Sequence, residues 1–212
     1  MRIENRIKTK IKICGLRRRE DILAVNESGP DYCGFIIEFP KSFRSVTAEK
    51  VRELVKELSS EIQPVGVFVN EDADKVVSLL ESGVIDLAQL HGNEDASYLK
   101  KLREKTKKPL IQAVRAVDRM VLKAAEQSTA DYIMADSGAG TGKTFDWKIL
   151  SEIRRPYFLA GGLDEKNVGV AIKELHPFAV DVSSGIETDG KKDPEKIEAF
   201  IRAVRQQKEV NI

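Results

Sequence analysis

The chain has 212 residues, 42% of them hydrophobic and 33% charged, with a net charge of +1. That is enough for one sizeable core and too little basic excess for a surface that holds nucleic acid non-specifically. No apolar run approaches the ~20 residues of a membrane helix, the first residues MRIENRIKTK lack the apolar stretch of a signal peptide, and the two cysteines have neither metal-ligand spacing nor the number for a disulfide framework. The expectation is a cytoplasmic protein with no nucleic-acid partner, membrane partner or metal.

Short apolar runs alternate with amphipathic stretches from end to end. IKIC (11–14) is followed by RREDILAVNESG, YCGFII (32–37) by TAEKVRELVKEL, VGVFV (65–69) by DADKVVSLLESG, and LAQL (87–90) by DASYLKKLREKT. LIQAV (110–114) then leads to DRMVLKAAEQS, YIMA (132–135) to a glycine loop and DWKILSEI, YFLA (157–160) to DEKNVGVAIKEL, and AVDV (179–182) to DPEKIEAFIRAVRQQ. The runs are short, rich in β-branched residues and almost free of charge, as strands buried on both faces should be. Thr47, Asp72, Asp95, Asp146, Asp164 and Asp193 are expected helix N-caps, with Pro194 in a first turn and Gly29 and Gly83 as stops.

Eight strand–helix units in strict alternation imply parallel strands joined by right-handed crossovers. The simplest closure is an α/β (β/α)8 TIM barrel formed by residues 1–212, with residues 1–9 as a short N-terminal extension. A doubly wound open sheet would want a dinucleotide fingerprint or a P-loop at its first strand, and neither is there.

In such a barrel the C-terminal ends of the strands face the site. Gly161 and Gly162 after the seventh run, and Ser183, Ser184 and Gly185 after the eighth, form small turns where barrels bind phosphate through backbone N–H groups. Cys14 ends the first run, where a thiol is either a base or nucleophile or else a small buried hydrophobe. Cys33 begins the second run and reads as structural. Asp136 ends the sixth, opposite the thiol across the mouth, and could serve as an acid–base partner or cap the next turn. Asp181 shares a strand face with Ser183 and should point inward to the substrate. Arg44, in PKSFR after the second run, suits a planar carboxylate. His91 follows Gln89 and Leu90 at the fourth, without a second ligand at metal spacing.

The loop SGAGTGKTFDW (137–147) nearly matches a P-loop, but Ser137 stands where the motif's first glycine belongs. The expectation is a flap or third wall beside the phosphate, with Gly142 among the phosphate-binding residues.

KICGL, FPKSFR, GVFVNE, QLHG, GKTFDW, PFAVDVSSGIE and GKKD, in that order at the matching units, resemble the phosphoribosylanthranilate isomerase family of tryptophan biosynthesis. The resemblance implies a TIM barrel that needs no metal or organic cofactor and acts on a small phosphosugar–anthranilate substrate by an Amadori rearrangement, as a monomer or homodimer. It implies Cys14 as general base, Asp136 as general acid, Arg44 on the anthranilate carboxylate, and the seventh and eighth loops on the phosphate. The related isomerase of histidine biosynthesis is disfavoured, because two aspartates do its acid–base work and the first run here ends in Cys14.

Overall fold

Each apolar run becomes a strand: β1 Lys10–Cys14, β2 Tyr32–Ile37, β3 Gln63–Phe68, β4 Leu87–Leu90, β5 Leu110–Arg115, β6 Tyr132–Asp136, β7 Tyr157–Ala160 and β8 Ala179–Val182. The computed structural model describes residues 6–115, 119–136, 150, 153–207 and 210–211. Every strand pairs in parallel with the next, and β8 pairs back onto β1, so the sheet closes into a barrel. In this register Lys12 of β1 lies opposite Tyr32 of β2 on one side and Asp181 of β8 on the other.

The strands read as continuous apolar runs because both faces are covered. Their outward residues pack under the helices. Inward residues from β2 to β8 fill the barrel floor, among them Val65, Leu87, Ile111, Met134, Phe158 and Ala179. Tyr32, Tyr132 and Phe178 surround Phe158, with ring centroids 5.5–5.7 Å from it. Contacts of this kind contribute about 0.5–1.5 kcal/mol each beyond their burial. Among the described residues these side chains fill the barrel interior below the C-terminal mouth.

The helices are α1 Arg19–Ser28, α2 Ala48–Leu54, α3 Ala73–Glu81, α4 Ala96–Lys105, α5 Arg119–Glu126, α6 Val168–Leu175 and α7 Pro194–Arg205. Thr47, Asp72, Asp95 and Asp193 cap α2, α3, α4 and α7 through their side-chain oxygens. Asp21 caps α1 by reaching back to the N–H groups of Arg17 and Arg18, both at 3.0 Å. Asp164 caps less than was expected of it. It holds the N–H groups of Lys166 and Asn167, so it closes the turn ahead of α6, which starts at Val168. The expected helix at 146–153 and its Asp146 cap lie outside the described residues. Among the expected extension residues, Arg6–Ile7 pair antiparallel with Val210–Asn211. No helix among the described residues is long and apolar enough to cross a membrane.

Candidate active site

A cavity of about 380 Å³ opens at the C-terminal mouth. Strand alternation sends every second residue into it: Cys14 from β1, Ile36 from β2, Val67 from β3, Gln89 from β4, Asp136 from β6, Ala160 from β7 and Asp181 from β8 all line it. The barrel therefore assembles on one surface side chains that lie up to 167 residues apart in the chain, Cys14 to Asp181.

Cys14 and Lys12 share the inward face of β1. A Cβ on Gly34 of β2 would stand 2.8 Å from Cys14 Sγ and 3.0 Å from Lys12 Nζ, so the bare backbone at Gly34 makes room for both. Lys12 is fully buried and donates to Asp181 Oδ1 at 2.8 Å. A lysine here is tolerable only because it is paired. Burial works against its ammonium, but the Asp181 carboxylate and the Cys14 sulfur outweigh it and hold Lys12 above the ordinary lysine value. Burial pushes the Cys14 thiol up; Lys12 pulls it back only in part, and Asp181 adds to the rise. Asp181, expected to stand alone and reach for substrate, thus has Lys12 as its partner while keeping a place in the cavity wall.

Asp136 stands on the other side of the cavity, with His91 Nε2 3.4 Å from its Oδ2. Gln89 Nε2 lies 2.8 Å from His91 Nδ1. With the amide nitrogen donating, Nδ1 accepts, and the proton of a neutral ring sits on Nε2, facing Asp136. The turn that carries His91 is braced by the buried Glu94, which accepts from the N–H groups of Asn70 at 2.6 Å and Gly92 at 2.7 Å.

Gly161 and Gly162 both have left-handed backbones, at φ 100 and 63, and line the cavity beside Ser183, Ser184 and Gly185. The two loops touch so closely that a Cβ on Gly185 would lie 2.0 Å from the Leu163 carbonyl oxygen. Ser183 Oγ donates to the Cys14 carbonyl at 3.0 Å, which ties the eighth loop to the end of β1. Gly142 and the rest of the glycine loop lie outside the described residues.

Arg44 is neither a free clamp nor a solvated surface charge. Its Nε and Nη2 donate to both oxygens of Glu187, at 2.7 and 2.5 Å, and its guanidinium lies 4.1 Å from the centre of the Phe43 ring. Glu187 also accepts from the buried Lys192, at 2.7 Å. Sequence reasoning assigned no role to Lys12, Glu94, Glu187 or Lys192. Lys12 did carry a signal, being a lone charge between Ile11 and Ile13 at period two from Cys14. Glu187 and Lys192 fall within the GIE and GKKD motifs, but nothing in their spacing names a partner 143 residues away in sequence.

Among the described residues no group of three His, Cys, Asp or Glu side chains is arranged to hold a metal ion. What the cavity offers is a thiol with an adjacent cation on one wall, a carboxylate with a histidine on the other, and two small-residue loops at its rim.

Residues 11–203 match the family model for N-(5'-phosphoribosyl)anthranilate isomerase. An isomerase of that name from Endomicrobium trichonymphae is 46% identical over 204 residues, 92% of this chain and 98% of its own. The crystal structure of phosphoribosyl anthranilate isomerase from Thermotoga maritima superposes with a TM-score of 0.83 at 36% identity, covering 93% of this chain and 98% of that one. Another, in complex with reduced 1-(o-carboxyphenylamino)-1-deoxyribulose 5-phosphate, gives 0.80 at 35% identity, with the same coverage of both chains.

Proposed function

The chain belongs to the N-(5'-phosphoribosyl)anthranilate isomerase family, and from that membership we propose how the residues of its cavity carry out the family's reaction. The reaction converts N-(5'-phosphoribosyl)anthranilate, an aminoaldose, into 1-(o-carboxyphenylamino)-1-deoxyribulose 5-phosphate, an aminoketose of tryptophan biosynthesis. It moves protons and electron pairs within one molecule, so two acid–base groups on opposite sides of the sugar suffice.

Asp136 gives a proton to the ribose ring oxygen. The C1–O bond breaks and the nitrogen lone pair closes a C1=N bond. The Cys14 thiolate then takes the proton from C2, and the C–H electrons form a C1=C2 bond as the iminium nitrogen recovers its lone pair. The resulting enolamine loses the O2 proton and gains one at C1 to give the ketone. Arg44 takes the anthranilate carboxylate. Gly161, Gly162, Ser183 and Ser184, with Gly142, take the phosphate through backbone and hydroxyl donors. His91 and Asp181 contact the sugar. The enzyme acts in the cytoplasm as a monomer or homodimer.

The observation that carries this reading is the placement of Cys14 and Asp136 on facing walls of one cavity. General acid–base groups contribute about 10²–10⁴ each, so Cys14→Ala and Asp136→Asn should each lower kcat by at least about 10² without loss of the folded state. The check is the decay of the fluorescence of freshly generated phosphoribosylanthranilate, beside circular dichroism of each variant. Wild-type rates in either variant would remove that residue's role. Absence of decay in the wild type would remove the activity.

A further inference from the structure

Arg44 is held on three sides before any ligand arrives. Its stem crosses the bare backbone of Gly15, where a Cβ would stand 2.6 Å from Arg44 Cδ. Its guanidinium lies over the Phe43 ring. Glu187 occupies the Nε/Nη2 edge with both carboxylate oxygens. A guanidinium has a second edge that takes a carboxylate two-pronged, made of Nη1 and the outer hydrogen of Nη2. Nη1 of Arg44 makes no hydrogen bond among the described residues.

Glu187 is itself placed by the chain. It lies opposite Lys192 in a two-residue antiparallel pair, Glu187–Thr188 with Lys191–Lys192. Lys192 donates to Glu187 Oε1, to the Ser183 carbonyl at 2.9 Å, and more distantly to Ser183 Oγ. Lys196 adds a hydrogen bond to the Glu187 carbonyl at 2.8 Å. Arg44 and Lys192 carry two positive charges against the single negative charge of Glu187, leaving one positive charge in the cluster. Lys192 thereby cancels the repulsion that Glu187 alone would exert on an anionic ligand.

We infer that Glu187 is a positioning residue for substrate recognition: it locks Arg44 with the Nη1/Nη2 edge free, and that edge selects substrates whose aromatic ring bears a carboxylate. This rests on the reading of Arg44 as the carboxylate site. Pre-orientation raises affinity by removing the ordering cost of a long side chain, and the charge-neutralising lysine keeps the lock from repelling its ligand.

The test titrates two ligands, the reduced carboxyphenylamino product analogue and its counterpart lacking the ring carboxylate, against wild type, Glu187→Gln, Glu187→Asp, Arg44→Ala and the Glu187→Gln/Arg44→Ala double variant. Glutamine is close to isosteric and preserves packing. In Glu187→Gln, Kd for the carboxylated ligand should rise about tenfold or more, as expected when a charge-assisted pair loses its ion. The decarboxylated ligand should bind as to wild type, kcat should fall less than KM rises, Glu187→Asp should recover part of the affinity, and the double variant should bind no worse than Arg44→Ala alone. Tighter binding by Glu187→Gln would make Glu187 a competitor of the substrate. Equal weakening of both ligands would make it a purely structural residue. Either overturns the inference while leaving Arg44 as the clamp, provided Arg44→Ala still separates the two ligands. If Arg44→Ala treats them alike, the reading of Arg44 falls and this inference falls with it.

Discussion

At the scale of single residues the Cys14 thiol answers first, among neighbouring charges, to the buried cation beside it, Lys12. Cys14 must shed its proton to act as a base, and burial opposes that. Lys12 is the nearest countervailing charge, held beside the thiol by Asp181. Removing it as Lys12→Met should leave the thiol still harder to ionise. The limb of kcat/KM that rises with pH should move to higher pH, and near pH 7 each unit of displacement costs about tenfold. The pH profile of Cys14 alkylation, read beside that of kcat/KM, checks this; an unmoved limb in both would show that Lys12 only fills space. Lys12 is marked in the local sequence only as a charge inside an apolar run, two residues before Cys14, and its partner is not named there. Its burial comes from the 2.8 Å ion pair with β8, 169 residues on.

At the scale of elements, the loops after β7 and β8 act as one unit because Gly185 lets them touch. The obstacle to a side chain there is the Leu163 carbonyl, which cannot rotate away as a side chain could. Gly185→Ala should therefore push the two loops apart, at about 1–3 kcal/mol of stability. KM should rise more than kcat falls, and inorganic phosphate should weaken as a competitive inhibitor. A wild-type inhibition constant for phosphate would place the phosphate elsewhere. The elements themselves were legible from local pattern. β2, β4, β7 and β8 match their apolar runs residue for residue, because strands buried on both faces begin and end here on apolar residues. Helix starts were legible where a single Asp or Thr supplies the cap. They failed at Asp164, whose side chain satisfies the backbone of the preceding turn instead, and at α1, whose cap Asp21 lies inside the helix and reaches backward.

At the scale of the whole molecule, burial links folding to pH. The Cys33 thiol is pushed far up by burial, and the Tyr32 phenol up to about 12 for the same reason. A raised pKa means that the folded state holds the proton more tightly than the unfolded chain. The stabilisation is complete below the unfolded values, near 9 for the thiol and 10 for the phenol, and is lost as pH climbs through the folded ones. Stability should fall by about 1.4 kcal/mol per pH unit for each such group, from about pH 9 for the thiol and from about pH 10 for the phenol. Urea midpoints between pH 8 and 10.5 check this. Cys33→Ala should start lower, because it leaves a cavity, yet decline less steeply; an equal slope would acquit the thiol.

The eightfold alternation of buried strand and amphipathic helix was written in the sequence, because both patterns are local, and it implied the barrel before any coordinate. The positions of Cys14, Asp136, Asp181 and the two small-residue turns at strand ends followed from it. Closure decided the rest. Only when β8 pairs with β1 does Lys12 meet Asp181, and only then does Arg44, on the loop after β2, meet Glu187 beyond β8. Contacts between charges brought together by barrel closure leave no periodic trace in the chain, so tertiary structure alone determines which ions are paired.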